Sequence, residues 1–470
     1  MLFSFYPIAY DKLLFKLEEA LHHKLDSNRP SRRGISRDIV KDEKNLIKVF
    51  FNALYLSYFS IPQEEVSVPL TAQYYTGTKF GYKNVKKIVD TLIAEKLIII
   101  KYGSEYSGKV SRIKPSTKLA KIFDEIGFRW RYYKPDKEDN LIIRSEDKKS
   151  NLSLPQNTRI KQQQQKLHKY NEFISKHCIA LDLDDTQIKY LEREIKQQKQ
   201  KKYVIEPSYS LNFSRVHLRR IFSKGSIDLG GRFYGGWWQT IPSKYRPHIR
   251  IDGYKTVEVD YSTMSLRLLY AREGKKVPIS RDMYDLGLKG SSKYLSKSRK
   301  LIKTFINAIL NDSKGNFRLS AADYQILKLT PKELKTLVDK FHEPIKHHFG
   351  TGVGLELMYL DSILAERLME WFTYNSIILL PIHDSFIIRA GYELSLRAQM
   401  KIEFKKLVNA DVQVKSDVIK NREHFPNVDA AVSDIKKQII KGTDTLHYLL
   451  DDTYGIYERY TASWYDYINS

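Results

Sequence analysis

The sequence predicts an α+β chain, and three patterns predict it. VEVDYSTMSLR (257–267) and LLPIHDSFIIR (379–389) are short apolar runs, each broken by one carboxylate, Asp260 and Asp384. Runs of this length read as β-strands. Residues 81–96 (GYKNVKKIVDTLIAEK) instead place Val85, Ile88, Val89, Leu92 and Ile93 at i, i+3, i+4, i+7 and i+8, a single buried helical stripe. LIIIKYG (97–103) and VSRIKPS (110–116), separated by the polar SEYSGK, read as a two-stranded hairpin.

Along the chain, residues 44–60 (KNLIKVFFNALYLSYFS) read as one apolar helix, followed by the helix over 81–96. Lys83, Lys86 and Lys87 lie off that helix's stripe. Helices followed by a basic hairpin resemble a winged helix-turn-helix, whose second helix enters the major groove while the wing touches backbone. Residues 1–125 are therefore expected to bind DNA, with Lys83, Lys86 and Lys87 among the contacts. Residues 134–165 are polar, with QQQQ at 162–165, and read as linker or exposed loop, apart from a strand at NLIIR (140–144). Residues 157–200 read as helices rich in Lys and Gln.

Lys and Arg number 79 against 55 Asp and Glu, a formal net charge of +24 over 470 residues. Such an excess favours a polyanionic partner through phosphate neutralisation and counterion release. Cys178 is the sole cysteine, which excludes a disulfide framework and a cysteine-rich zinc site. Lysines and glutamates interrupt the early apolar stretch, unlike a signal peptide. No apolar run approaches the ~20 residues that span a bilayer. The expectation is a cytoplasmic protein with no membrane partner.

Asp260 and Asp384, brought together by neighbouring strands, make an oxygen-lined site suited to Mg²⁺. Two such ions ~4 Å apart activate a 3′-hydroxyl and stabilise a leaving pyrophosphate. The motifs around them resemble a known family. DYSTMSLR is similar to motif A of the A-family DNA polymerases, and IHDSF to motif C of that superfamily, closer to phage-type single-subunit RNA polymerases. GRFYGGWWQTIP (231–242) resembles the A-family glycine-arginine segment, SRKLIKTFINAILN (298–311) the fingers helix called motif B, and LDSILAERLM (360–369) the RNA-polymerase helix before motif C. The resemblance covers roughly residues 210–430, with the five segments in family order.

The resemblance implies a right-hand polymerase of palm, fingers and thumb behind the winged helix-turn-helix. The expected division is 1–125 for DNA binding, 126–205 for linker and thumb-like helices, 206–435 for palm and fingers, and 436–470 for a tail. It implies that Asp260 and Asp384 hold two Mg²⁺ ions, with Mn²⁺ as a substitute, and that His383 lies near the primer end. Arg232 and Gln239 would line the minor groove of the nascent pair, with Trp237 and Trp238 packed beneath. On motif B, Arg299 and Lys303 are one helical turn apart and suit a triphosphate, one as a fork and one as a point charge. Lys303 would also protonate the leaving pyrophosphate. Asn307 and Asn311 continue that face where the family carries an aromatic residue and a tyrosine. Asp282 and Tyr284 (RDMYD) resemble the start of an aspartate-initiated helix and are assigned a structural role.

Ser265 stands where the family's DNA polymerases carry a glutamate, which leaves room for a ribose 2′-hydroxyl. The expected partners are DNA template and primer and nucleoside triphosphates. The expected activity is that of a compact DNA polymerase, a replicase of a plasmid, phage or integrated mobile element. An RNA polymerase or primase on the same core, and a replication initiator with an inactive palm, are the alternatives.

Overall fold

The computed structural model describes residues 12–27, 37–75, 81–103, 110–126, 140–147, 150–201, 210–213 and 215–416. The expected hairpin turn (104–109) and the expected tail (436–470) lie outside them. Among the described residues the chain is a mixture of helices and three sheets, as the α+β expectation requires.

Helices α1 (Lys12–Ser27) and α2 (Arg37–Tyr58) are followed by β1 (Val66–Ser67), α3 (Tyr82–Ala94), β2 (Ile98–Lys101), β3 (Arg112–Pro115) and α4 (Thr117–Ile126). In α3, Val85, Ile88, Val89 and Leu92 are buried, so the predicted stripe is the packed face. Strands β2 and β3 pair antiparallel, and β1 adds to β3 to give the order β1-β3-β2.

Next come β4 (Leu141–Arg144), β5 (Asn151–Leu152), α5 (Thr158–Ile174), β6 (Ile179–Leu181), α6 (Asp185–Lys201), β7 (Arg219–Ser223) and β8 (Ser226–Tyr234). The all-helical expectation for 157–200 is corrected here. The short apolar run Ile179–Leu181 is a fully buried strand that pairs antiparallel with residues 249–251, because an apolar run buried on both faces must satisfy its backbone groups and that strand supplies partners. A separate four-stranded sheet has the order β5-β4-β7-β8. Both sheets therefore join strands from either side of position 205.

The remaining elements are β9 (Ile249–Ile251), β10 (Tyr254–Tyr261), α7 (Met264–Arg272), α8 (Ser292–Asn311), α9 (Ala321–Leu327), α10 (Pro331–Phe341), α11 (Gly354–Tyr374), β11 (Leu379–Ile382), β12 (Ser385–Arg389), α12 (Glu393–Val408) and β13 (Val414–Ser416). Strands β11-β12-β10-β9-β6 form one sheet, and β13 pairs with β10 beyond β9. Among the described residues, no helix is long and apolar enough to cross a membrane.

Helix α11 is bound to the β7–β8 hairpin through a buried arginine. Arg220 is 1% exposed and donates to Gly231 O (2.8 Å), to Glu366 Oε2 (2.6 Å) and to Ser362 Oγ (2.9 Å). A bulge in β8 makes this possible. Ile221 pairs with Arg232 but Phe222 pairs with Gly230, so Gly231 is the extra residue. Gly231 has φ 75°, and a Cβ there would meet the Phe222 ring at 2.8 Å, so only glycine fits.

Removing one partner of a buried ion pair strands the other charge, whereas replacing both by apolar groups does not. Glu366→Ala should therefore cost about 3 kcal/mol, read as a lowered urea midpoint. The double variant Arg220→Met with Glu366→Leu should recover most of that loss. A double variant as unstable as Glu366→Ala would show that the pair is not what joins α11 to the hairpin.

Candidate active site

Strand β10 alternates: Val257, Val259 and Tyr261 are buried, while Glu258 and Asp260 point to the opposite face. Its partner β12 sets Ser385 opposite Asp260. The Tyr261 N–H donates to Asp384 O at 3.2 Å. Asp260 and Asp384 thus stand at the same end of one strand pair, and both are exposed. On the other edge, β13 sets Lys415 opposite Asp260, on the same face. Ile382 pairs with Ser385, so His383 and Asp384 alone form the β11–β12 turn. His383 has φ 55°, a left-handed conformation in which His, Asn and Asp are enriched among non-glycine residues.

Two neighbouring carboxylates carry their own arginines. Arg246 donates to Glu258 at 3.0 and 3.3 Å, and Ser385 Oγ donates to the same carboxylate at 2.5 Å. Arg232 Nε donates to Asp361 Oδ2 at 2.5 Å. Asp361 is buried on α11, and burial pushes its carboxyl up to about 6, against the pull of Arg232 and with the push of Asp384. Burial likewise drives the His383 imidazole down to about 4, aided by Arg232 and Arg246 and opposed by Asp384. His383 Nδ1 is buried with no hydrogen-bond partner among the described residues, and the ring meets Tyr234 edge-on at 5.5 Å.

Helix α8 carries the expected cations on one face and buries the other through Ile302, Phe305, Ile306, Ile309 and Leu310. Tyr284 joins this helix to the carboxylates. Its ring centre lies 5.4 Å from Arg299 Cζ and 6.0 Å from Lys303 Nζ. Burial raises its phenol above the ordinary value, and the charges of Asp384, Asp282 and Asp260 add to that, with Arg299 opposing. The cations of α8 and the two aspartates therefore flank one buried ring. Lys303 is exposed. Arg299 makes a two-bonded fork with Asp282, Nε to Oδ2 at 2.5 Å and Nη2 to Oδ1 at 3.0 Å. Burial works against the Asp282 charge, but the Arg299 hydrogen bond and the Tyr284 N–H hold its carboxyl below the usual value.

Other expected site residues are placed as follows. Ser265 is half-buried at the start of α7, five residues after Asp260. Asn307 is half-buried, and its carbonyl accepts from Asn311 Nδ2 at 2.8 Å. The Asn311 amide also sits against α11, where a Cβ on Gly354 would meet its Oδ1 at 2.1 Å. The Gln239 amide is fully used inside the fold, donating to Phe233 O and Pro381 O and accepting from the Gly235 N–H. Trp237 and Trp238 are buried, as packing requires, and Trp238 Nε1 donates to Pro381 O. On α3, far along the sequence, Lys86 pairs with Asp90 and Lys87 with Glu43, while Lys83 is exposed.

The expected helix opening at RDMYD is corrected. Residues 281–290 contain no helix. The Asp282 side chain accepts from the Tyr284 N–H at 3.0 Å, an Asx turn, and Gly287 follows at φ 77°, so no helical turn propagates. Arg267, the last residue of DYSTMSLR, and His342, which no motif marks, hold this loop. Arg267 donates to the carbonyls of Pro278, Ile279 and Arg281. His342 is fully buried, and its Nε2 lies 3.0 Å from Met283 O. A carbonyl only accepts, so Nε2 carries the proton, and Nδ1 accepts from the Tyr270 hydroxyl at 3.2 Å. Glu258 had a signal in the V-E-V-D alternation, two residues before Asp260. Asp361 lies within the LDSILAERLM segment but nothing singles it out there, and Arg246, Lys415 and His342 had no signal, since only tertiary pairing brings them to the site.

No family model matches the sequence, and no curated protein matches it. Among solved structures the chain is similar to the POL domain of Pol1 from M. smegmatis, in complex with DNA primer-template and dNTP, at 10% identity and a TM-score of 0.30. That likeness covers 49% of this chain and 51% of the other, so the chain spans about half the length of the structure it matches.

The His342 anchor has a pH signature. Burial lowers its imidazole from 6.5 to about 4, against the Met283 hydrogen bond and with the charge of Arg281. A depressed histidine contributes stability that is present above its unfolded value and is lost as pH falls towards the folded one. His342→Gln removes the titration. The stability advantage of the native protein over this variant should shrink by about 2 kcal/mol between pH 7 and pH 5, measured by chemical denaturation at both. An advantage independent of pH would mean that the imidazole is not held neutral.

Proposed function

We propose that the chain is a template-directed nucleic-acid polymerase, a nucleotidyltransferase that extends a primer on a DNA template from nucleoside triphosphates. The observation that carries this reading is the placement of Asp260 and Asp384, 124 residues apart in sequence, at one exposed end of the β10–β12 pair. Mg²⁺ commonly takes one or two protein carboxylates and draws its remaining oxygens from phosphates and water. The two exposed aspartates fit that habit, and Mn²⁺ would suit the same oxygens. When bound, the ions would supply activation of the 3′-hydroxyl and charge stabilisation at the leaving pyrophosphate.

The chain's own groups do the rest. Lys303 presents a point charge on the exposed face of α8, within reach of a triphosphate lying over Tyr284. Arg299 already binds one oxyanion, Asp282, in a fork, so phosphate binding would exchange one acceptor for another at the same guanidinium. Tyr284 keeps its proton and separates the cations from the aspartates. Catalysis of this kind rests on positioning and electrostatics. A DNA polymerase of a mobile element is the reading we favour. Ser265, too small to crowd a 2′-hydroxyl, keeps ribonucleotide use as the second reading.

Asp260→Ala or Asp384→Ala should abolish Mg²⁺-dependent primer extension while leaving DNA retardation in gels nearly intact. Extension retained in either variant would sink the polymerase reading. Native protein should also incorporate ribonucleotides, and Ser265→Glu should suppress that by roughly ten- to hundredfold relative to deoxynucleotides, the cost of a clash or an unpaired hydroxyl. The measurement is single-nucleotide extension with matched dNTP and NTP on one primed template. Equal discrimination by native protein and variant would clear Ser265 of any role in sugar choice.

A further inference from the structure

Among the described residues one three-donor cluster of His, Cys, Asp or Glu stands out, and it lies away from the two aspartates. Glu273 caps the C-terminus of α7. His347 and His348 close the 3-10 turn of residues 343–348 that leads towards α11. Glu273 Oε1 lies 2.8 Å from His348 Nε2 and 3.3 Å from His347 Nε2. The two imidazole rings lie 4.1 Å apart, centre to centre, tilted by 40°. One donor atom from each residue lies within 4.8 Å of the others.

We propose that Glu273, His347 and His348 bind a divalent transition-metal ion of the Zn²⁺ type. Donors held at about 2.1 Å around a tetrahedral ion stand about 3.4 Å from one another. The Glu273–His347 separation already matches, and the Glu273–His348 contact needs to open by about half an ångström. Two imidazoles and a carboxylate select Zn²⁺, Co²⁺ or Ni²⁺ over Mg²⁺, which prefers oxygen alone. The nitrogen donors thus separate this site chemically from Asp260 and Asp384. His348 and Glu273 are half-buried and His347 is largely exposed, so water can complete the shell. Arg272, the sequence neighbour of Glu273, is paired with Glu356.

The site's position gives the ion a structural role. Helix α7 follows directly on β10, which carries Asp260. Two residues after His348, the Gly350 N–H donates to Ile309 O on α8, the helix that carries Lys303. An ion here would clip the helix behind the carboxylate strand to the segment tied to α8.

The test uses the full chain with Asp260→Ala and Asp384→Ala built in, so that those carboxylates take up no ion. Titration with Zn²⁺ alone should show one saturable equivalent by calorimetry, unaffected by millimolar Mg²⁺, and Co²⁺ should give the visible absorption of a low-coordinate site. His347→Ala, at an exposed position that keeps the fold, should weaken binding at least tenfold. His347→Ala with His348→Ala should abolish it, and His168→Ala should leave it unchanged. Absence of a saturable equivalent, or its survival in the double histidine variant, overturns the proposal. The cluster is then a carboxylate hydrogen-bonded by two imidazoles and nothing more.

Discussion

The antiparallel pairing of β10 with β12 is the constraint on which the candidate site depends. Its backbone hydrogen bonds fix Ser385 opposite Asp260 and bring Asp384 beside Tyr261. A slip of one residue would turn Asp260 into the core and Val259 out to solvent. The buried set Val257, Val259 and Tyr261 on β10, with Phe386 and Ile388 on β12, forbids that slip. Apolar burial on one face therefore sets the position of the carboxylates on the other. The hairpin β11–β12 adds a second restraint, since a two-residue turn admits few registers.

The cationic side of the site depends on a loop rather than a strand. Residues 278–284 have no regular structure to hold them, so their backbone groups are satisfied from outside, by Arg267 and His342. Asp282 then takes Arg299, and Tyr284 fills the space between α8 and the aspartates. Such a loop is held by a few strong polar contacts, each from a different helix. Its geometry is accordingly more sensitive to single substitutions, and to pH, than that of the sheet.

The elements with strong periodicity were legible in the sequence. The stripe of α3, the strands β2 and β3, the strand β4 and the strand carrying Asp260 stand where the pattern put them, and α8 stands where the motif resemblance put a helix, whereas the run around Asp384 is two strands with Asp384 in their turn rather than one. What failed was short or tertiary. Strand β6 has only three residues and no alternation, because it is buried on both faces. The RDMYD segment is expected to open a helix from its resemblance alone, and the Asp282 side chain competes for its backbone. Gln239 is assigned to nucleic acid through the resemblance of its segment, and sequence could not show that three backbone groups of the same fold also use its amide. Lys415 reaches Asp260 only through β13, a strand of three residues no pattern marks.

The charges around the site explain why so many arginines lie among so many carboxylates. Carboxylates drawn together repel, and burial adds to the cost. The fold meets this with one guanidinium for each supporting carboxylate: Arg246 for Glu258, Arg232 for Asp361 and Arg299 for Asp282. Arginine suits the task because its fork binds a carboxylate in two places and resists deprotonation. Where burial is deepest the compensation is incomplete, and the Asp361 carboxyl stays up at about 6, with Asp384 among the causes. Asp260 and Asp384 are treated differently, since water reaches both. Exposure lowers the cost of setting two carboxylates at one end of a strand pair, and it is also what a cation approaching with its own hydration shell requires. The same exposure that makes the pair tolerable in the folded chain leaves it open to the cation that the proposed reaction requires.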